Sequence, residues 1–580
     1  MIFLLNINPK KYSFFAVIMQ SFFLFFAIIL VLQLIHLQVF ESGKLKEKAR
    51  QMRQPLRSFT FRGEITDRNG LRLAADTTTY DIYAHPKYYN EKPDKIATLL
   101  SPLLRKPSDV LLEKLNKLDA STITLAKGID RETGIKIRKL KIRGLDLVRI
   151  SERVYPQGNL ASHILGYVNP EANLFAGVEK VGSKELEAFP HVQPVEYDGN
   201  GNVIYDFNTD PAYAAMPLTG KKLVLTIDAS IQHVAETELS KMMGKTKADR
   251  GTVIVMNPHN GEIYAFAVLP TYNPNKYNKT RQSVLKNWVL SDVYPPGSTF
   301  KILTIASALE TGSITEYEKI MDTGEAKIAG WTISNYDYAK RGAPGMIDLK
   351  YLFMHSSNVG SLKVALKIPP VEHYKMLKLF GIGAKTGIDL PGESAGIIPP
   401  PNEWDKVKHA TIGFGYSIAS TPIQMASAVA SIANNGIWIT PHVIKYSKEE
   451  AIKRLKSRRV LSPDTAASMT RLLESSIRGS ESKAGKIPNY TVAGKTGTSR
   501  KPNPNGSGYL TGQVFTSFAG YFPAYNPQVL IMVTVDNPKG VEIWGSTVAG
   551  PIFNNVAIET ARILNIKPDA PGLNCKSKES

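Results

Sequence analysis

Tyr294-Pro-Pro-Gly-Ser-Thr-Phe-Lys301 decides how this chain is read, because it sets Ser298 and Lys301 three residues apart at the start of an apolar helix. Side chains at i and i+3 share a helix face. The Lys301 amine is therefore expected to reach the Ser298 hydroxyl and take its proton, which is how an unreactive serine becomes a nucleophile. Pro295-Pro296-Gly297 ends extended chain ahead of it. Ile302, Leu303, Ile305, Ala306, Ala308 and Leu309 form the buried stripe, and Gly312 suits the C-cap. The positive end of that helix would face any anion formed at the hydroxyl. Standing alone, the motif would mean only a serine N-cap and a solvated lysine. The spacing also occurs at Ser283 to Lys286 and at Ser480 to Lys483, without this context.

Two further segments supply what the first lacks. Ser356-Ser357-Asn358 offers a second hydroxyl and a carboxamide, and Val492-Ala-Gly-Lys-Thr-Gly-Thr498 offers a cation flanked by hydroxyls and flexible backbone. A second Lys-Thr-Gly, at Lys385-Thr386-Gly387, sits in the Gly/Pro-rich stretch Gly381 to Glu393 and reads as a loop. The copy at Lys495 follows extended Tyr490-Thr-Val-Ala and precedes strand-like runs over 514–522 and 529–535, so it belongs on a sheet beside them. Without its partners Ser356 would read as a helix-end hydroxyl and Asn358 as a turn residue. His355, next to Ser356, invites a Ser-His reading, but the lysine already supplies the base and no carboxylate partner is identifiable.

At 580 residues and 43% hydrophobic composition the chain has room for a membrane segment and at least two folded domains. Its single cysteine, Cys575, rules out intrachain disulfides and a thiolate metal cluster. No His-Glu-x-x-His, Walker A loop or Rossmann glycine fingerprint occurs, so neither a metal nor another cofactor is expected. The net charge of +20 is spread along the chain without a long basic block, which argues against nucleic acid and leaves anionic lipid or an anionic wall polymer as charged partners. Tyr12 to Phe40 carries no charge and is long enough to span a bilayer. Lys10 and Lys11 precede it, so the amino end is expected in the cytoplasm and everything after Glu41 outside. The run exceeds a signal-peptide apolar core and lacks an Ala-x-Ala-like cleavage site.

The expected organisation is a cytoplasmic end over 1–11, an anchor over 12–40, a non-catalytic pedestal over 41–219, a catalytic domain over 220–567 and a polar tail over 568–580. A Lys/Arg/Gln-rich stalk over 43–57 leads to Arg62-Gly-Glu-Ile-Thr-Asp-Arg-Asn-Gly70, whose Asn-Gly is a hairpin turn signal. The pedestal pattern is mixed α and β, with Arg153-Val-Tyr-Pro-Gln-Gly158 and Gly177-Val-Glu-Lys180 but no evident nucleophile. The boundary falls after the stretch Asp206 to Pro217. Beyond it, Leu223 to Asp228, a helical pattern over 229–243, and two runs flanking Asn260-Gly261 open the catalytic domain. With the strands near Lys495, Phe515 and Ile531 they make a sheet of about five strands. Helices at Ser298, over 422–434 and over 551–564 would cover both its faces in a three-layer α/β/α domain.

The triple set Ser298-x-x-Lys301, Ser356-Ser-Asn358 and Lys495-Thr-Gly497 resembles that of penicillin-binding proteins and class A β-lactamases, with Ser-Ser-Asn in place of Ser-Asp-Asn. Together with Arg62 to Gly70, Gly177 to Lys180 and Thr421-Pro-Ile-Gln-Met425, the chain resembles a class B penicillin-binding protein, of the FtsI type that acts in cell division. That resemblance implies the serine β-lactamase/penicillin-binding fold, an α/β/α sandwich around a five-stranded antiparallel sheet, behind a mixed α+β pedestal of dimerisation type and one transmembrane helix. It implies a D,D-transpeptidase that cross-links peptidoglycan stem peptides ending in D-Ala-D-Ala and is inhibited by β-lactams. Ser298 would be the nucleophile and Lys301 the base, its pKa lowered by burial or by Lys495. Ser356 would pass a proton to the leaving amine, and Asn358 would orient Lys301. Lys495, Thr496 and Thr498, with Gly497 between them, would bind the substrate carboxylate, and the Ser298 and Thr498 N–H groups would form the oxyanion hole. A separate glycan polymerase and other division proteins are implied partners, on the outer side of a bacterial cytoplasmic membrane. A β-lactam sensor, a D,D-carboxypeptidase or β-lactamase, and an elongation-type transpeptidase stay open at this point.

Overall fold

The computed structural model describes residues 9–44, 54–57, 60–169, 172–188, 192–197, 203–204, 218–503, 505–506, 508–540 and 543–574. Residues 45–53 of the stalk over 43–57, the boundary stretch over 206–217 and Cys575 fall outside these residues. The chain divides into two compact units, Met1–Phe61 with Ala188–Thr219, and Arg62–Glu187 with Gly220–Ser580.

In the first unit, helix Pro9–Ile35 runs on through a π turn, His36–Phe40. Its 27-residue apolar stretch Phe14–Phe40 is not buried by the rest of the chain. At 1.5 Å per residue it is roughly 40 Å long, which is enough to cross a membrane. Strand Gln54–Arg57 pairs antiparallel with Val192–Tyr197, and Thr60–Phe61 pairs parallel with Leu218–Thr219.

The second unit begins with a twisted sheet. Ile65–Thr66 and Arg72–Ala84 form a hairpin around Asn69-Gly70, where Gly70 takes φ +93° as that turn requires. Arg72–Ala84 also pairs with Ile123–Asp130 and Leu145–Val154. Helices Pro93–Leu104, Ser108–Leu115 and Arg131–Lys139 bury Ile96, Leu100, Leu111 and Ile137 against Ile82 and Leu125 of that sheet.

Three segments that were unusual in the sequence meet in one buried ion cluster. Glu179, with no exposed surface, accepts from Arg62 Nε at 2.6 Å, Arg153 Nε at 2.6 Å and the Tyr155 hydroxyl at 3.2 Å, while Asp76 takes Arg153 Nη1 at 3.0 Å. Burial alone would lower the Arg153 pKa, but the Glu179 and Asp76 carboxylates more than offset it and hold the group above its ordinary value. The hairpin turn also helps cap helix Ala229–Thr246: Asp67 accepts from the Ala229 N–H at 3.2 Å, and Asn69 donates to the N-cap Asp228 at 2.8 Å.

The large sheet comprises β1 (Arg250–Met256), β2 (Ile263–Leu269), β3 (Ala493–Pro502), β4 (Tyr509–Phe522) and β5 (Val529–Asp536) in the order β2-β1-β5-β4-β3, every neighbouring pair antiparallel. The helices that concern the site are α1 (Ala229–Thr246), α2 (Lys301–Glu310), α3 (Asn358–Lys367), α4 (Pro422–Ala433), α5 (Pro463–Gly479) and α6 (Ala549–Ile563). Alternate strand residues face opposite ways. Val253, Val255, Ile531 and Val533 pack on Leu239 of α1 and Phe553 and Val556 of α6, whereas Ile254, Met256, Leu530 and Met532 share a core with Ile305 of α2 and Ile423 and Val429 of α4. Because both faces are covered, β5 is buried throughout and reads as a continuous apolar run.

Thr421-Pro-Ile-Gln-Met425 opens α4 with a capping box and Pro422 in the first turn. Gln424 Nε2 reaches outward to the carbonyls of Gly381, Ala384 and Ala395 at 3.3, 2.7 and 2.8 Å. One buried carboxamide thus ties a long glycine-rich loop to the core.

Candidate active site

The α-helix starts later than the sequence suggests. Gly297–Phe300 is a 3-10 turn and α2 begins at Lys301. Gly297 takes φ +57°, and a Cβ on it would lie 2.8 Å from that of Ser499, so the turn touches β3 only because the side chain is missing. In a 3-10 turn i and i+3 eclipse, which keeps Ser298 and Lys301 on one side. Ser298 is half-buried between the buried Gly297 and Thr299.

Lys301 is fully buried, and its amine is held by the second motif rather than by Ser298. Nζ donates to the Ser356 carbonyl at 2.5 Å, to Ser356 Oγ at 3.1 Å and to Asn358 Oδ1 at 2.9 Å. Burial, and after it the Lys495 cation, push the Lys301 pKa well below the ordinary lysine value, against a weaker upward pull from Asp322 and Asp337. That shift favours the neutral amine, the form of lysine able to accept a proton. Ser356 adopts φ +54°, a left-handed conformation that costs a non-glycine residue about 1–2 kcal/mol. Asn335 holds the following turn, accepting from the N–H groups of Asn358 at 2.8 Å and Val359 at 3.1 Å, while Asn358 Nδ2 donates to the Ser334 carbonyl at 3.0 Å.

The third motif lies on β3, the edge strand. Lys495 is buried, donates to the Thr496 carbonyl at 3.1 Å, and has its pKa lowered by burial to about 8. Thr496 and Thr498 are half-buried. A Cβ on Gly497 would strike Ser517 Oγ and lie 2.9 Å from the Thr299 methyl, so this glycine lets the Ser298 turn seat on the strand. Ser499 Oγ donates to the Pro295 carbonyl at 2.6 Å and locks that seating. Thr498 Oγ1 accepts from the Gly545 N–H at 3.0 Å, fixing its rotamer.

The look-alike motifs are elsewhere and occupied. Thr386 and Gly387 donate their N–H groups to Glu393 at 2.6 and 3.0 Å, a loop closure. Ser283 is exposed and Lys286 pairs with Asp292 at 2.5 Å, while Ser480 ends α5. The His355 ring packs on Tyr351 at 4.2 Å, and the group that meets the Ser356 hydroxyl is the Lys301 amine.

Sequence reasoning overlooked Asp322 and Asn335, which support the Ser356 turn, and the rings of Tyr336 and Trp544, 6.1 Å apart. Tyr336 follows Asn335, which holds the turn after Ser356, and Trp544 precedes Gly545, which donates to Thr498 on β3. The only sequence signal was polarity: Asp322-Thr-Gly324 and Ser334-Asn-Tyr-Asp337 are turn-like, and nothing local pairs them. Together the residues suit acylation of a serine hydroxyl: a half-open alcohol, an amine of lowered pKa one turn on, and a lysine with two hydroxyls for an anionic group.

Known proteins share this arrangement of domains. The family model described as penicillin binding protein transpeptidase domain matches residues 251–557, and that of the penicillin-binding protein dimerisation domain matches residues 59–225. The chain is 31% identical to the peptidoglycan D,D-transpeptidase FtsI homolog of Mesostigma viride over 98% of this chain and 99% of that one. It is 30% identical to stage V sporulation protein D of Bacillus subtilis, covering 87% and 79%, and to peptidoglycan D,D-transpeptidase FtsI of Escherichia coli, covering 88% and 85%. Its fold matches penicillin binding protein 2X of Streptococcus thermophilus with a TM-score of 0.71 at 24% identity, over 88% of this chain and 80% of that one. It also matches penicillin binding protein 3 of Mycobacterium tuberculosis, solved with aztreonam, with a TM-score of 0.66 at 23% identity, over 89% and 99%.

Proposed function

The chain belongs to the penicillin-binding protein transpeptidase family, and from that premise we propose that it is a membrane-anchored peptidoglycan D,D-transpeptidase working through a Ser298 acyl-enzyme. The observation that carries this reading is the fully buried Lys301 amine, pinned by Ser356 and Asn358 one turn from a half-open Ser298.

The stem peptide docks with its terminal carboxylate against Lys495, Thr496 and Thr498, which sets the penultimate D-Ala carbonyl over Ser298. Neutral Lys301 takes the Ser298 proton as Oγ bonds to the carbonyl carbon. The oxyanion rests on the N–H groups of Ser298 and Thr498, a contribution on the order of 3 kcal/mol per donor. As the C–N bond breaks, Ser356 hands the proton from Lys301 to the leaving D-Ala amine. An acceptor amine then attacks the ester, loses its proton along the same path, and restores the Ser298 hydroxyl. A β-lactam enters by the first step alone, through its strained amide.

The relatives named FtsI favour a role in septal wall synthesis. Lys10 and Lys11 ahead of the apolar helix favour a cytoplasmic amino end and a catalytic domain outside the membrane. The pedestal over 41–219 and the catalytic domain over 220–567 then stand beside a separate glycan polymerase, since nothing between residues 41 and 220 suggests one. Membranes carrying the protein are labelled with a fluorescent penicillin and then supplied with lipid-linked glycan strands. Label and dimeric muropeptides from the wild type, with neither from Ser298→Ala, are expected. Persistent label on Ser298→Ala would overturn the assignment, and release of D-Ala without dimers would make the protein a hydrolase.

A further inference from the structure

The second motif reads Ser-Ser-Asn, and position 357 is where the resembling pattern carries a carboxylate. A carboxylate is nevertheless present, delivered from a distant strand. Asp322, at the end of strand Lys319–Asp322 and without exposed surface, accepts from Ser357 Oγ at 2.5 Å and from Asn335 Nδ2 at 3.0 and 2.9 Å through its two oxygens. Its remaining acceptor site takes the Gly324 N–H at 2.8 Å. Ser357 in turn caps α3, accepting from the Gly360 N–H at 2.7 Å, and Asn335 accepts from the N–H groups of Asn358 and Val359.

We propose that Asp322 is a positioning residue of the transpeptidase site: through Ser357 and Asn335 it fixes the strained turn that presents Ser356 and Asn358 to Lys301. The proposal rests on the reading of Ser298, Lys301, Ser356 and Asn358 given above. It touches no substrate. Two linked chains of hydrogen bonds, one through a hydroxyl and one through a carboxamide, run from one carboxylate to the residues that directly follow the φ +54° residue, and Ser357 Oγ also donates to Asn335 Oδ1 at 3.4 Å. A turn held in a left-handed conformation by a non-glycine residue persists only when its surroundings over-determine it. Asp322 supplies that excess of constraint. Its charge also acts on the base directly: of the charged groups acting on Lys301, Lys495 on β3 lowers its pKa while Asp322 and Asp337 raise it, and Asp337 is itself paired with Arg341 at 3.3 Å.

The test is the acylation rate constant for a fluorescent penicillin, measured against pH on the detergent-solubilised full-length chain. Three variants are compared with wild type: Asp322→Asn, Ser357→Ala and Ser357→Thr. Asp322→Asn is expected to slow acylation by about 10–100-fold, the scale of a misplaced catalytic group. It should also move the acid limb to lower pH, because removing a negative charge beside Lys301 lowers that amine's pKa further. Ser357→Ala should slow acylation similarly with the limb unmoved, and Ser357→Thr should restore the rate. A merely structural role would lower the amount of reactive protein and leave rate constant and limb alone; that result would overturn the proposal. If Asp322→Asn does not fold, the Ser357 pair decides: an unchanged rate constant in Ser357→Ala refutes it. Failure of the underlying reading looks different, since wild type would then take no label or Ser298→Ala would keep it.

Discussion

Two clusters of buried charge lie in the same compact unit and have opposite designs. Around Glu179, guanidiniums meet carboxylates at 2.6–3.0 Å, and the Arg153 pKa rises despite burial. Around Ser298, two buried lysines have hydroxyls, carbonyls and a carboxamide for hydrogen-bond partners, with no carboxylate in hydrogen-bond contact among the described residues, and both pKa values fall. Removing an ion from water costs several kcal/mol, which a partnered ion recovers through its counter-charge. A buried amine without a counter-charge is pushed toward losing its proton, further at Lys301, which also feels the Lys495 cation, than at Lys495 itself. Pairing therefore makes a joint, and the lack of it makes a base.

The contrast is broken most forcefully at the nucleophile. Ser298→Ala should abolish penicillin labelling, a loss on the order of 10⁶-fold for a nucleophile acting as part of a unit, with the unfolding midpoint near that of wild type. Lys301→Met, which keeps the shape and discards the base, should cost about 10²–10⁴-fold in acylation rate. The mirror experiment is Glu179→Gln. It leaves Arg153 with Asp76 and Arg62 with the more exposed Glu187 as their remaining counter-charges, and should lower stability by about 3 kcal/mol in denaturant unfolding, while the acylation rate constant of the folded fraction stays at the wild-type value. An acylation defect in that variant, measured on folded protein, would mean the two clusters are coupled rather than distinct.

A smaller effect concerns pH. Lys495 must be cationic to hold a substrate carboxylate, and its pKa in the free protein is about 8. Its charge is present below that value and lost above it. Consequently kcat/KM for a carboxylate-bearing substrate should fall about tenfold per unit as pH climbs past 8, a limb that Lys495→Ala should remove. The smallest effect expected is at Gln424→Leu, which deprives three loop carbonyls of their donor and should cost about 1–3 kcal/mol with no change in the acylation pH profile.

How much of this could be read from the chain follows from which interactions are local. The apolar run before Glu41, the Asn69-Gly70 and Asn260-Gly261 turns, the five strands and the covering helices were legible because periodicity and turn chemistry are properties of a few adjacent residues. The three motifs were legible for the same reason, and their convergence followed from resemblance, not from spacing. The 3-10 start of α2 was missed because it depends on Gly297 resting against Ser499, some 200 residues later. Glu179 could be seen as part of a signature but not as the centre of an ion cluster, since Arg62 is 117 residues away. Asp322 and Asn335 went unnoticed because each is an ordinary turn residue until Ser357 is placed beside them.

The most direct measurement is the acid limb of wild-type acylation by a β-lactam followed from pH 4 to 10, which reports the pKa of the base in the free protein. The limb is expected to belong to Lys301, to lie well below the ordinary lysine value of about 10.4, and to move down again when Asp322 is neutralised. A limb inflecting near that ordinary value, with acylation negligible at neutral pH, would contradict that assignment.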